Sequence, residues 1–256
     1  MNRIQKLFQS KDQNILNVYF TAGYPQLGDT EEIAVTLSKL GVDLIELGMP
    51  YSDPMADGPT IQASSEQALK NGMTLKLLFT QVENIRKKTE IPIVVMGYFN
   101  QMMQFGVEAF LDHCNQVGID GLIIPDLPLD VYEKEWHSKF IARNLSVSFL
   151  MTPETSPERI QKIDRLSGGF VYVVSQSSIT GNAKDISQKQ LEYFERVKAL
   201  EFKNPKLIGF GIHDKQSFDQ ACTYANGAII GSAFIKALKQ PNDLPSNIKN
   251  FISSVR

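Results

Sequence analysis

The feature that most restricts the fold is a series of short apolar segments, rich in β-branched residues, that recurs along the whole chain. Their apolar character is continuous rather than alternating, which is typical of parallel strands covered on both faces. Eight such segments occur, at residues 15–20, 44–47, 93–97, 121–125, 146–150, 170–174, 206–209 and 227–231. Stretches with helical periodicity separate most of them, including 30–40, 75–88, 107–117, 131–144, 157–166 and 188–200. Eight strands alternating with helices predict an α/β protein, a single (β/α)8 TIM barrel over residues 1–256.

A doubly wound open sheet would show the same alternation of strands and helices. The first strand is followed by no G-x-G-x-x-G string, which disfavours that alternative. Extra helices are predicted at residues 2–9, where one would plug the opposite end of the barrel, at 60–70, and at 233–239 after strand eight. Residues 248–255 are predicted to close the outer helical ring, and no linker divides the chain.

Charge and composition exclude several classes of partner. The net charge of −2 suggests neither nucleic acid nor a membrane surface. The chain has no apolar run of the roughly 18 residues that a membrane span requires, and its first ten residues lack the apolar core of a secretion signal. Cys114 and Cys222 have no metal or redox spacing, so we expect reduced thiols in a cytoplasmic protein.

The connection after the second strand is unusually long and carries the most informative string, E-L-G-M-P-Y-S-D-P-M-A-D-G-P, from Glu46 to Pro59. Glu46 ends the strand, and Asp53 and Asp57 follow on a loop stiffened by prolines. Carboxylates at the mouth of an apolar barrel lose hydration, which raises their pKa. The string therefore predicts acid–base groups, although a salt-bridged strand end and a turn before Gly58 would also explain Glu46 and Asp57.

Barrels that act on phosphosugars often run aldol-type carbon–carbon cleavage, and two routes to it other than acid–base catalysis have little support in the sequence. A Schiff-base route needs a lysine at the mouth, yet Lys206 begins a strand and Lys184 lies in a polar loop. A metal route needs clustered ligands, and we assign His113, His137 and His213 to the surface or to supporting positions. Acid–base catalysis by Glu46 and Asp57 remains.

Glycines follow three of the later strands, in Thr180-Gly181, in Gly209-Phe210-Gly211 and in Gly231-Ser232. The last pair opens a helical pattern, where free backbone N–H groups can hold an anion. Each glycine alone could serve only a turn. Together they predict a site for a phosphorylated small molecule at the ends of the strands.

Several strings taken together resemble the tryptophan synthase alpha chain family. They are the string from Glu46 to Pro59, Y-F-T-A-G-Y-P from Tyr19, M-G-Y-F-N from Met96, P-D-L-P from Pro125, Thr180-Gly181 and G-F-G-I from Gly209. The resemblance runs in order from about residue 2 to 239. It implies a lyase of tryptophan biosynthesis that cleaves indole-3-glycerol phosphate to indole and glyceraldehyde 3-phosphate, with no metal or cofactor on this chain.

The resemblance gives Glu46 and Asp57 the catalytic roles. Glu46 would exchange protons between the glycerol hydroxyl and indole C3, at a pKa raised toward neutrality by apolar walls. Asp57 would accept the ring N–H and stabilise the positive charge that develops when C3 is protonated. Removal of either carboxylate should cost on the order of 10²-fold in turnover.

The remaining site residues also follow from the resemblance. The indole cavity falls on Tyr19, Met96, Ile123, Tyr172 and Phe210, each of which could instead be ordinary core. Thr180 matches a threonine that meets the aspartate on loop closure, and the phosphate ligands fall on Gly181, Gly211, Gly231 and Ser232. Many relatives carry Arg at Gln176 and Gly at Ser178, so we expect a loop that closes less readily and weaker activity in the isolated chain.

The family also implies a partner, a beta chain that carries pyridoxal phosphate and consumes indole in an alpha2beta2 complex. The matching rim is residues 50–55, 98–100 and 125–128, including Pro50, Asp53, Asn100 and Pro128, although these could be ordinary loops. Two alternatives remain open. One is a stand-alone indole-3-glycerol phosphate lyase, which would be fast without a partner, and the other is a catalytically weak subunit that mainly activates the beta chain.

Overall fold

A computed structural model describes residues 1–175, 188–209 and 211–256. Its nine strands are all parallel and lie in one sheet of order β5-β4-β3-β2-β1-β9-β8-β7-β6. They are β1 Ile15–Thr21, β2 Leu44–Gly48, β3 Ile93–Met96, β4 Gly121–Ile123, β5 Ser146–Val147, β6 Leu150–Met151, β7 Val171–Val174, β8 Lys206–Gly209 and β9 Gly227–Ile230. The two outermost strands of this order, β5 and β6, are consecutive in the chain. The sheet therefore curls round and closes, as expected for the predicted TIM barrel.

The predicted fifth strand, 146–150, differs from the structure, because it is split into β5 and β6. The Phe149 N–H donates to the Ser167 hydroxyl at 3.3 Å, which interrupts the ladder. The Ser148 N–H still donates to the Leu122 carbonyl at 3.1 Å, and Phe149 O accepts from Tyr172 N at 2.9 Å. The two halves thus join different neighbours, and the ring of hydrogen bonds continues through the break.

Helices separate the strands, except between β5 and β6. They are α1 Arg3–Ser10, α2 Asp29–Lys39, α3 Pro59–Lys70, α4 Leu75–Arg86, α5 Phe99–Phe105, α6 Val107–Val117, α7 Leu129–Val131, α8 His137–Ala142, α9 Pro157–Leu166, α10 Gln188–Ala199, α11 Lys215–Tyr224, α12 Ser232–Ala237 and α13 Leu244–Val255. The predicted helix 131–144 is instead α7 and α8 joined by a π-helical segment, Tyr132–Trp136. Helices α5 and α11 were not predicted. No helix among the described residues is long and apolar enough to span a membrane.

Strand side chains alternate between two apolar layers. Odd-numbered positions of β1 and even-numbered positions of β2 face the barrel interior, where Ile15 and Leu44 pack with Val94, Leu207 and Ile229. The alternate positions pack outward against the helices. This alternation decides that Glu46, two residues after Leu44, also faces the interior.

Helix α1 covers the N-terminal ends of the strands, as predicted for the plug. Ile4 is fully buried in the interior cluster, and Leu7 and Phe8 pack against that cluster. Asn2 caps the helix, and its side-chain amide donates to the Asp120 carbonyl at 2.9 Å and to Ser146 Oγ at 2.7 Å. Because parallel strands share one direction, the opposite end of the barrel is left for the long loops.

Candidate active site

Glu46 is the central residue of β2, two residues before its C-terminal Gly48, and only 1% of its surface is exposed. Asn17 Nδ2 donates to its Oε1 at 2.6 Å, while Oε2 has no hydrogen-bond partner among the described residues. Burial in the apolar interior raises the pKa of Glu46 to about 8, and the Asn17 hydrogen bond opposes that rise. At neutral pH this carboxyl group is therefore mostly protonated, and it can either give or take a proton.

Asp57 is held by the loop between β2 and α3 and is 6% exposed. Its backbone N–H donates to Pro54 O at 3.1 Å, and its carbonyl accepts from Gln62 Nε2 at 2.9 Å. The Tyr98 hydroxyl donates to Asp57 Oδ2 at 3.1 Å and accepts from the Ala56 N–H at 2.9 Å. Burial raises the pKa of Asp57 to about 6, and the Tyr98 hydrogen bond opposes the rise. Asp57 is thus mostly ionised at neutral pH.

The charges of Glu46 and Asp57 both influence the pKa values of the same two tyrosines, Tyr19 and Tyr172. Burial raises the pKa of Tyr19 well above its usual value, and the fields of Asp57 and Glu46 raise it further. Tyr172, on the far side of the barrel, is affected by burial and by the same two carboxylates. The structure therefore brings Glu46, Asp57, Tyr19 and Tyr172 to one region at the mouth of the barrel.

Two strand-end glycines make room for those phenols. A Cβ atom built on Gly48 would lie 2.2 Å from the Tyr19 hydroxyl oxygen, and one built on Gly209 would lie 2.3 Å from that of Tyr172. Either contact is too close to persist without movement of the ring. Glycine at these positions lets both tyrosines fold across the mouth.

The other predicted indole-cavity residues have simple placements. Ile123 is fully buried in the interior cluster, and Met96 packs against the same cluster while partly exposed. Met96 ends β3, which pairs with β2, and Ile123 ends β4, which pairs with β3. Phe210 lies outside the described residues.

Three of the four predicted phosphate residues, Gly211, Gly231 and Ser232, follow β8 and β9, which are adjacent in the sheet. Gly211 is exposed and has φ +79°, a left-handed conformation that favours glycine. Gly231 is the N-cap of α12, and Ser232 is its exposed first residue. Thr180 and Gly181 lie outside the described residues, as do Lys184 and the two departures, Gln176 and Ser178. The structure thus brings Gly211, Gly231 and Ser232 to the end of the barrel that carries the carboxylates.

The predicted partner rim is only partly accessible. Asp53, Asn100 and Pro128 are exposed, whereas Pro50 is buried and its carbonyl accepts from Gln101 Nε2 at 3.0 Å. Asn100 Nδ2 donates to the Tyr51 hydroxyl at 2.9 Å, and the Tyr51 ring stacks on Tyr98 at a centroid distance of 5.1 Å. The rim is therefore connected through Tyr98 to the Asp57 carboxylate.

Of the residues considered for other chemistry, His213 lies next to the predicted phosphate residues, since its Nδ1 is 2.8 Å from the Gly211 carbonyl oxygen, and the other described ones lie away from the mouth. His113 and His213 are exposed and His137 is partly buried in α8. Lys206, at the start of β8, donates from Nζ to Val197 O and Leu200 O at the opposite end of the barrel. Within residues 1–175, 188–209 and 211–256, no three His, Cys, Asp or Glu side chains form a group suited to a metal ion.

Of two residues that contact the carboxylates, sequence reasoning gave Asn17 no role and assigned Tyr98 only to the partner rim. Asn17 had a visible signal, because it is the one amide in the apolar run 15–20, and a buried amide requires a partner. Tyr98 lies in the M-G-Y-F-N string, but only the folded loop brings its hydroxyl to Asp57.

Comparison with known proteins agrees over almost the whole chain. Residues 5–255 match the family model described as Tryptophan synthase alpha chain. The tryptophan synthase alpha chain of Flavobacterium johnsoniae is 54% identical over 256 residues, covering 100% of both chains. That of Christiangramia forsetii is 53% identical over 256 residues, covering 100% of this chain and 99% of the relative.

Solved structures show the same architecture. A chain of M. tuberculosis tryptophan synthase, in an aminoacrylate-bound form, superposes with a TM-score of 0.85 at 32% identity over 100% of both chains. A chain of the tryptophan synthase complex from Pyrococcus furiosus gives a TM-score of 0.87 at 32% identity, covering 96% of this chain and 98% of the other. From the family match and these full-length similarities, we conclude that this chain belongs to the tryptophan synthase alpha chain family.

Proposed function

We propose that this chain cleaves indole-3-glycerol phosphate to indole and glyceraldehyde 3-phosphate, with Glu46 as the proton carrier and Asp57 as the anion that faces the indole nitrogen. The observation that carries the proposal is the pair of buried carboxylates at one mouth of the barrel, with pKa values of about 8 and about 6. Two acids with different pKa values can act in opposite protonation states at neutral pH.

Glu46 begins the proposed reaction protonated. It donates its proton to indole C3, which turns the ring into an indolenine cation and weakens the bond to the glycerol carbon. The resulting carboxylate then takes the proton of the neighbouring glycerol hydroxyl as the carbon–carbon bond breaks. The bonding electrons return to the ring, an aldehyde forms, and Glu46 regains its proton.

Asp57 stays ionised throughout. Its carboxylate accepts the ring N–H, and the attraction strengthens as positive charge develops on the indole. An interaction that is stronger in the transition state than in the bound substrate accelerates the reaction. Low exposure of Asp57 supports this role, because water competes little for the charge.

The remaining assignments complete the proposed substrate site. Tyr19, Met96, Ile123, Tyr172 and Phe210 would enclose the indole ring. The phosphate would bind the backbone at Gly181, Gly211, Gly231 and Ser232, and Thr180 would meet Asp57 when the loop after β7 closes. The proximity of Tyr19 and Tyr172 to both carboxylates supports the first of these assignments.

The test is indole release from indole-3-glycerol phosphate by the purified chain, by Glu46→Gln and by Asp57→Asn. Each amide keeps the shape of the carboxyl group and removes its acid–base function, so turnover should fall on the order of 10²-fold or more. Asp53→Asn is a matched control, because Asp53 is exposed on the same loop. If Glu46→Gln is folded and releases indole at the original rate, the proposal is wrong.

We further propose that the chain works with a tryptophan synthase beta chain that carries pyridoxal phosphate and receives the indole, in an alpha2beta2 complex. In this proposal the chain itself carries no cofactor. The protein is cytoplasmic, and its two unpaired cysteines are compatible with that location. Asp53, Asn100 and Pro128 would contact the beta chain. Docking there would order the loop that carries Asp57, through Tyr51 and Tyr98.

Titration of a purified beta chain into the indole assay tests this pairing. Saturating beta chain should raise indole formation, and Asn100→Ala should reduce that gain while basal turnover remains. Asn115→Ala is the control, since Asn115 is exposed on α6 near the opposite end of the barrel. If the beta chain neither binds nor stimulates, the partner assignment fails and the stand-alone lyase is favoured.

A further inference from the structure

Asn17 is a buried polar residue that the proposed reaction does not use directly. It lies on β1 with no exposed surface, among apolar neighbours of the barrel interior. Its backbone pairs with Leu44 on β2 and with Ile229 on β9. Among the described residues its side chain makes one hydrogen bond, which Nδ2 donates to Glu46 Oε1 at 2.6 Å.

The register shows that this bond reaches across layers. Glu46 pairs with Tyr19 and Val94, one inward-facing layer nearer the mouth than Asn17. The Glu46 carboxyl group is therefore held toward the layer below its own backbone. Of its two oxygens, Oε1 is occupied by Asn17, and Oε2 is without a partner in the described part of the chain.

We propose that Asn17 is the positioning residue for Glu46: it anchors Oε1 and so assigns proton exchange with the substrate to Oε2. The proposal rests on the proposed lyase function only for its consequence in catalysis. The anchoring itself concerns two side chains of this protein and is measurable without substrate.

Asn17 and Glu46 each have one buried oxygen without a described hydrogen-bond partner, which is consistent with this role. Asn17 Oδ1 is buried and also lacks a described hydrogen-bond donor. A buried acceptor without a partner is costly, as is the unpartnered Glu46 Oε2. A neutral carboxyl group loses less hydration on burial than a carboxylate, so a proton on Oε2 reduces that cost, and the arrangement suits a carboxyl group that gains and loses a proton during turnover.

Other titratable groups that face Glu46 do not supply the same contact. Tyr19 from β1 and Tyr172 from β7 feel its field, and Asp57 acts on the same two phenols from the loop after β2. From β3, β4 and β9 the interior neighbours are Val94, Ile123 and Ile229. Burial raises the pKa of Glu46, and among the described side chains the opposing influence comes from the Asn17 hydrogen bond.

Removal of the amide should therefore shift the titration of Glu46 upward. Asn17→Leu keeps a similar volume and removes the donor, so the carboxylate form loses its hydrogen bond. We expect the midpoint to rise by about one pH unit or more. The alkaline limb of indole formation should rise with it, because Glu46 then stays protonated to higher pH. Ile229→Val is the control, since it removes a buried methyl group beside Asn17 and leaves the amide in place.

The experiment uses the full chain labelled with ¹³C at glutamate side-chain carboxyl carbons and with ¹⁵N at asparagine amides. Glu46→Gln assigns the Glu46 signal. In the unmodified protein the Asn17 amide should titrate with the same midpoint as Glu46, and this measurement does not depend on any variant being folded. In Asn17→Leu the Glu46 midpoint should move upward, and in Ile229→Val it should not.

An Asn17 amide that does not respond to Glu46 titration overturns the proposal. So does a folded Asn17→Leu protein whose Glu46 midpoint and alkaline limb are unchanged. If the midpoint shifts as expected but the unmodified chain releases no indole, the positioning role stands and the proposed lyase function fails.

Discussion

The hydrogen bond from Tyr98 to Asp57 leads to a sharp prediction for Tyr98→Phe. The substitution removes only a hydroxyl that donates to Oδ2 at 3.1 Å and opposes the effect of burial on the pKa of Asp57. A hydrogen bond to a charged group stabilises it by about 1.5–3 kcal/mol, and one pKa unit corresponds to about 1.4 kcal/mol. The pKa of Asp57 should rise from about 6 by about one to two units.

The sign of the effect on activity follows from the form that Asp57 needs. The carboxylate must be ionised to stabilise the indolenine cation, so a higher pKa removes active protein at neutral pH. At pH 7 the ionised fraction should fall from about 0.9 to about 0.1–0.5, which lowers indole formation about 2- to 10-fold. The unmodified chain should give a bell-shaped profile with an acid limb near the Asp57 pKa of about 6 and an alkaline limb near the Glu46 pKa of about 8.

The assay is the pH dependence of kcat/KM for indole release by the unmodified chain, Tyr98→Phe and Tyr51→Phe. Tyr51 is the matched control, because its ring stacks on Tyr98 while its hydroxyl accepts from Asn100 rather than binding Asp57. Loss of the Ala56 contact to Tyr98 could also loosen the loop, but this would lower activity equally at every pH. An acid limb that does not move in folded Tyr98→Phe refutes the reasoning.

Two further predictions concern packing. Gly48→Ala should displace the Tyr19 phenol and raise KM, because the new Cβ would lie 2.2 Å from the phenol oxygen. Gly28→Ala is the control and should leave KM unchanged, since its added Cβ meets nothing within 4 Å. An unaltered KM in Gly48→Ala would contradict the crowding. Asn2→Ala should lower the free energy of unfolding in urea by about 1–3 kcal/mol, because it removes the α1 cap and the bonds to Asp120 and Ser146. Turnover at saturating substrate should not change, since Asn2 lies at the end of the barrel opposite Glu46.

Much of the architecture was predictable because strands buried on both faces leave a strong local pattern. The apolar runs located the strands, and the plug helix was evident from Ile4, Leu7 and Phe8. The break in strand five was not predictable, since it depends on Ser167 reaching Phe149 from the following connection. Helix α5 has seven residues and was missed because so short a helix carries weak periodicity. Helix α11 has ten residues and had a visible start signal in its N-cap, Asp214.

The sequence by itself determined that Glu46 lies in the second strand and that Asp57 follows on a stiff loop, because an apolar run and the prolines after it are local properties. Only the tertiary structure decided what surrounds those carboxylates. Asn17 is 29 residues from Glu46 and Tyr98 is 41 from Asp57 along the chain. Burial and hydrogen bonds between such distant residues set the two pKa values, and no local pattern encodes them.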